Sequence, residues 1–160
     1  MSVSFVTARP EEAKELSELR RKVWSTTYRG IYPDDMIDNF DYPMHNAKDL
    51  TRITAEDFTV YFITENGEKI GYLILQKKEI LYVQSLYLLE NFRGKGIGRA
   101  AFEKIREFCR KNGYDRFYLG CHPQNEKAIG FYLKMGGVIT ARDEGHEHNE
   151  ENSIRIDFEI

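Results

Sequence analysis

The chain has 160 residues, 41% of them hydrophobic and 31% charged, with 23 basic against 26 acidic side chains for a formal charge of −3. That length supports one core without disulfide staples or a structural metal, so one domain spanning 1–160 is expected. The near-balanced charge argues against nucleic-acid binding through a general basic surface, and no apolar run approaches a membrane span.

The opening Met1-Ser2-Val3-Ser4-Phe5 has no basic stretch followed by an apolar one, so no export signal is expected there. Val3 to Thr7 reads as a first strand. Pro10 with Glu11 and Glu12 marks a helix start, and Leu16, Leu19, Val23 and Trp24 carry the helical spacing to about residue 25. From Thr26 to Asp57 the pattern weakens: Gly30, Pro33 and Pro43 break the chain, which predicts loops with one or two short helices. Strands follow at 58–64, 69–76 and 80–89, divided by Asn66-Gly67 and Lys77-Lys78-Glu79, as an antiparallel meander. Ile97, Ala101, Ile105 and Phe108 form one stripe of a helix that ends at Asn112-Gly113. Residues 116–121 are the next strand, parallel to its predecessor because a helix joins them. A helix from about Asn125 to Met135 and strands at 138–141 and 154–160 complete the chain, with a polar loop from Arg142 to Asn152. The final strand alternates Ile154, Ile156, Phe158 and Ile160 with polar residues, and could pair with a partner chain, so monomer and homodimer are both open. Cys109 and Cys121 lack CxxC spacing and read as buried reduced thiols of a cytoplasmic protein.

The sharpest chemical signal is Arg93-Gly94-Lys95-Gly96-Ile97-Gly98-Arg99, between a strand and the helix it feeds. Glycines let backbone N–H groups approach an anion, and the helix start aims its free donors and positive dipole end at the same point. No Lys-Ser or Lys-Thr follows, which excludes a Walker A loop. A dinucleotide fingerprint fails because the preceding strand closes an antiparallel meander rather than opening a parallel sheet.

These residues resemble the GCN5-related N-acetyltransferases. Arg93 to Gly98 matches that family's [RQ]xxGx[GA] pyrophosphate loop, and Asn125-Glu126-Lys127-Ala128-Ile129-Gly130-Phe131-Tyr132 through Gly136 resembles its NxxAxxxYxxxG stretch. The resemblance implies an α/β fold with a mixed sheet, mostly antiparallel at the N-terminal side, whose fourth and fifth strands are parallel and splayed. It implies direct transfer of an acetyl group from acetyl-coenzyme A, as cosubstrate, to an amine. Leu86, Tyr87 and Leu88 would pair with the pantetheine arm, and Arg93, Gly94, Lys95, Gly96, Ile97, Gly98 and Arg99 would hold the pyrophosphate. The backbone N–H near Leu88 would polarise the thioester carbonyl. Tyr132 would protonate the departing thiolate as general acid, with Asn125 as a helix cap and cofactor contact, and Lys127 and Lys134 near the phosphates.

The base that takes the amine proton is less clear. The fourth strand offers Gln84 and Ser85 in place of a carboxylate, so a water chain or His122, as base or relay, is left to serve. His146 and His148 lack a ligand cluster, and no metal is expected. Tyr28 to Tyr42 and Arg142 to Asn152 would contact the acceptor, with Asp34, Asp35, Asp38 and Asp41 attracting a cation. The expected acceptor is a small primary amine, polyamine-like, aminoglycoside-like or amino-acid-like. A protein N-terminus or lysine is the alternative within this chemistry, and a non-catalytic acyl-coenzyme A sensor is the alternative outside it.

Overall fold

The computed structural model describes residues 3–160. In chain order the elements are β1 (Val3–Thr7), α1 (Ala13–Thr27), α2 (Asp34–Asp38), α3 (Tyr42–Thr54), β2 (Phe58–Glu65), β3 (Glu68–Gln76), β4 (Leu81–Leu88), α4 (Ile97–Asn112), β5 (Arg116–Cys121), α5 (Glu126–Lys134), β6 (Val138–Asp143) and β7 (Ser153–Glu159). They build one seven-stranded sheet in the order β1-β2-β3-β4-β5-β7-β6. All neighbours are antiparallel except β4 and β5, which are parallel. The mixed fold and the parallel pair expected above are therefore present. Among the described residues no helix is long and apolar enough to cross a membrane.

Two apolar layers sandwich the sheet. Ile63, Ile70, Leu73, Leu81, Val83, Phe117, Leu119, Ile154, Ile156 and Phe158 meet α4 through Ile97, Phe102, Ile105 and Cys109. On the other face Val60, Phe62, Tyr72 and Ile74 meet Leu16, Leu19 and Val23 of α1. β2 and β3 feed both layers from their alternating faces, whereas β5 and β7 bury one face only, as a pleat allows. Both cysteines are buried and free.

Two expectations need correction. The segment 26–57 holds a 13-residue helix, α3, where loops and short helices were expected. Pro43 does not break the chain: it occupies the first turn of α3, where a missing N–H costs nothing. Asp41 caps that turn by accepting from the Met44 N–H at 3.0 Å. A buried ion pair then fixes α3 on α1: Arg20 Nη2 donates to Asp49 Oδ1 at 2.7 Å and Ser17 Oγ donates to Asp49 Oδ2 at 2.8 Å. The second correction concerns β7. It lies between β5 and β6, and both its edges are paired, so it cannot extend the sheet into a partner chain. A sequence pattern identifies a strand and its faces but not its neighbours; β6 holds the sheet edge instead.

Candidate active site

The parallel pairing of β4 with β5 runs only from Leu81 opposite Phe117 to Val83 opposite Leu119. On its other side, β4 pairs Val83 with Leu75 and Ser85 with Ile74, so Gln84 has no opposite residue. An extra residue bends a strand and increases its twist, and here the bulge turns β4 away from β5. The gap that opens beyond it has unpaired backbone on the β4 wall. Leu89 N–H donates to the Ile70 carbonyl at 2.8 Å. By the alternation of an antiparallel ladder, Leu88, opposite Gly71, then turns its N–H and carbonyl toward the gap. Leu86 has the same parity, whereas the Tyr87 backbone is committed to β3 and offers only its side chain. The three residues expected to present backbone thus divide two to one.

At one mouth of the gap lies the glycine loop. Gly94 and Gly96 have φ of 76° and 80°, the left-handed region that a side chain disfavours, and an added Cβ at either would meet open space. Every backbone N–H from Gly94 to Arg99 lacks an acceptor among the described residues. This open row of donors at the start of a 16-residue helix suits a diphosphate, and the open space over the glycines leaves room for one. Gly98 serves packing: a Cβ there would stand 2.7 Å from Phe131 Cζ, so its absence lets α5 close on α4.

The basic residues of the loop divide in role. Arg93 folds back to donate to the Leu88 carbonyl from Nε and Nη2, both at 3.2 Å, and to Thr27 Oγ1 at 2.7 Å, bracing β4 against α1. Lys95 lies over the Phe92 ring, 5.4 Å from its centroid, and Arg99 is exposed. Lys127 and Lys134 are exposed on α5. Asn125 caps α5, its side chain accepting from the Ala128 N–H at 3.4 Å.

Tyr132 projects from α5 into the neighbourhood of Cys121 and Tyr87. Burial, then the proximity of those two acids, pushes its pKa up, so the phenol keeps its proton. Its hydroxyl has no hydrogen-bond partner among the described residues. Burial alone pushes the Cys121 thiol up to about 12, so it is not a thiolate nucleophile at neutral pH.

The opposite wall is aromatic. Tyr28, 6% exposed, shares a hydroxyl hydrogen bond with Tyr87, and its ring stacks on Tyr32 at 4.1 Å and 8°. Burial raises the pKa of both hydrogen-bonded phenols, with Tyr87 reaching about 12. Tyr32 stands edge-on to His122, 6.4 Å between centroids. His122 itself is fully engaged: Nδ1 accepts from the Gln124 N–H at 3.0 Å, so Nε2 carries the proton and donates to the Asn149 carbonyl at 2.7 Å. With no free lone pair the ring anchors a loop and cannot serve as the base. Asn149 completes the junction, donating from Nδ2 to the Ile31 carbonyl at 2.8 Å and to Gln124 Oε1 at 2.5 Å. Residues 59 and 118 positions apart meet in these contacts, and no local pattern signals either.

The acidic segment is also corrected. Arg29 Nη1 pairs with Asp34 at 3.1 Å and Nη2 with Asp38 at 3.0 Å, and Asp41 is occupied as a cap. Of the four acids expected to attract a cation, this leaves Asp35. His146 braces its own loop, Nε2 lying 2.6 Å from Asp143 Oδ1, and no cluster of three or more metal-ligating side chains occurs among the described residues.

Residues 15–137 match the sequence model of the Acetyltransferase (GNAT) family. A spermidine N(1)-acetyltransferase of Thermoplasma acidophilum is 26% identical over 89% of this chain and 92% of its own length. N-alpha-acetyltransferase 50 of Danio rerio is 30% identical over 62% of this chain and 73% of its own. Among solved structures, the PaiA N-acetyltransferase of Thermoplasma acidophilum, in complex with coenzyme A, superposes with a TM-score of 0.87 at 22% identity, covering 100% of both chains.

Proposed function

Since the chain belongs to the GNAT acetyltransferase family, we propose that it transfers an acetyl group from acetyl-coenzyme A to the primary amine of a small molecule in the cytoplasm. The observation that carries this reading is the gap between β4 and β5, with the row of free N–H donors from Gly94 to Arg99 at one mouth and the unpartnered Tyr132 hydroxyl inside. Acetyl-coenzyme A supplies the activated acetyl thioester. The Gly94–Arg99 amides hold the diphosphate, and Leu86 offers backbone to the pantetheine arm, while Leu88 offers its N–H alone because Arg93 occupies its carbonyl. The Leu88 N–H donates to the thioester carbonyl as negative charge builds on its oxygen. The amine nitrogen bonds to the carbonyl carbon, the carbon–sulfur bond breaks, and Tyr132 donates its proton to the leaving sulfur. Burial keeps Tyr132 protonated before the step, and water returns to its phenolate the proton given to sulfur. The amine proton leaves through water: Gln84 and Ser85 are bonded to each other and His122 has no free nitrogen.

The acceptor class rests on shape and on a relative. The loop after α1 is tied to the loop before β7 across the aromatic wall, which suits a compact amine or a chain end better than a lysine within a polypeptide. The spermidine-acetylating relative supports a polyamine-like acceptor, and the N-alpha-acetyltransferase relative keeps a peptide N-terminus as the second reading.

The test follows thiol release from acetyl-coenzyme A against panels of polyamines, aminoglycosides, amino acids and peptides. Turnover of a small amine is expected. Tyr132→Phe should lower kcat by about 10²-fold or more with coenzyme A affinity retained, and Gly96→Glu should abolish coenzyme A binding by filling the cradle with a charged side chain. Tight coenzyme A binding with no turnover on any panel would assign a sensor instead.

A further inference from the structure

We infer that Asn149 is a positioning residue for the acceptor, clamping three separate loops into one wall of the gap; this rests on the acetyltransferase reading above. Its side chain is fully used. Both Nδ2 protons are donated, one to the Ile31 carbonyl in the loop after α1 and one to Gln124 Oε1 in the loop before α5, while Oδ1 accepts from Asn152 Nδ2 at 3.2 Å. The Asn149 backbone carbonyl takes the His122 Nε2 proton. Only a primary carboxamide of this length combines two donors and an acceptor in one plane, so aspartate, of the same shape, cannot replace it.

What the clamp holds is the aromatic wall. Ile31 and Tyr32 both donate their backbone N–H groups to the Tyr28 carbonyl at 2.9 Å, so fixing the Ile31 carbonyl fixes that turn. Tyr32 stacks on Tyr28, and the Tyr28 hydroxyl meets Tyr87 of β4 inside the gap. Asn149 therefore governs the side of the gap opposite Tyr132 without touching the reacting atoms. The diphosphate loop from Gly94 to Arg99 has no hydrogen bond to this junction, so the cradle for the coenzyme A diphosphate stands apart from it.

The test pairs two isosteric substitutions that each add one negative charge. Asn149→Asp removes both donors and sets a carboxylate against the Ile31 carbonyl and Gln124 Oε1. Gln124→Glu keeps the accepting oxygen. For Asn149→Asp, loss of two hydrogen bonds predicts an acceptor KM raised by about tenfold or more and amide exchange in 28–33 accelerated by a similar factor, with kcat and coenzyme A affinity held within about threefold. Gln124→Glu should leave both readouts near the parent values. Equal effects in the two variants would mean that charge alone matters and would overturn the clamp, as would unchanged exchange in 28–33. Should Asn149→Asp not fold, Gln124→Leu removes one acceptor without adding charge. It must then move both readouts in the same direction by a smaller amount, and no movement overturns the proposal. The exchange measurement needs no substrate, so absence of turnover on the amine panels defeats the acetyltransferase reading while leaving the clamp decided on its own evidence.

Discussion

Cys121 sits beside Tyr132 at the gap, where a thiol invites a covalent reading, and its environment argues the other way. No cation lies close enough to lower its pKa, and burial pushes it up to about 12. At pH 8 native protein should therefore resist alkylation by iodoacetamide at Cys121, read by mass spectrometry of the intact chain and its peptides, with reaction appearing only in denaturant. Cys121→Ala should keep kcat within about tenfold of the parent, far from the loss a true nucleophile would show. Rapid native labelling of Cys121 would contradict this account. At this scale the sequence was legible where chemistry is local. Gly94, Gly96, Asn125 and Tyr132 stand in order along short stretches, and the left-handed turn, the cap and the buried helix face that they form are local features. The Tyr28–Tyr87 pair and the Asn149 junction were not legible, because each joins residues far apart in the chain whose meeting depends on the folded sheet.

Among elements, α3 is the one whose placement depends most on a single buried charge. Asp49 is fully buried, and Arg20 beside it has 6% of its side chain exposed, with Arg52 a further 3.5 Å contact. Removing one partner of such a pair leaves the other charge buried without compensation. Asp49→Ala is therefore expected to destabilise the fold by about 3–5 kcal/mol in urea titration. A loss under about 1 kcal/mol would show that α3 is held by its apolar contacts alone. The strands of the meander were readable from their turns: Asn66-Gly67 does form the β2–β3 hairpin, with Asn66 at φ 51° and Gly67 at φ 83°. The third helix is longer than the short helices expected in 26–57, because its first turn contains a proline and its buried face includes His45 and Asp49, which hide its start and much of its stripe.

For the molecule as a whole, one link between the first helix and the sheet responds to pH. Lys69 of β3 lies 2.6 Å from Glu12 and 2.5 Å from Glu15, and its hydrogen bond holds the Glu12 carboxyl down at about 2 from an ordinary 4.5. A depressed carboxyl stabilises the fold fully above pH 4.5 and progressively less as pH falls toward 2. Lys69→Met should flatten that part of the stability curve, measured as Tm between pH 6 and pH 3, while leaving a smaller change above it. An unaltered acid limb in Lys69→Met would remove the pair from the explanation.

The position of β7 between β5 and β6 bears on the order in which the molecule can assemble. Chain order brings both flanking strands into existence before the strand that joins them, with Cys121 waiting for Ile154 across the whole of α5 and β6. Until β7 arrives, β5 has only its short parallel seam with β4 and β6 has no neighbour at all. The meander β2–β3–β4 can form from local hairpins, while this half must close a long loop first, which slows folding. During synthesis the gap between β4 and β5 is therefore completed last, and chaperone capture of nascent chains should concentrate on those that have not yet emerged through residue 159.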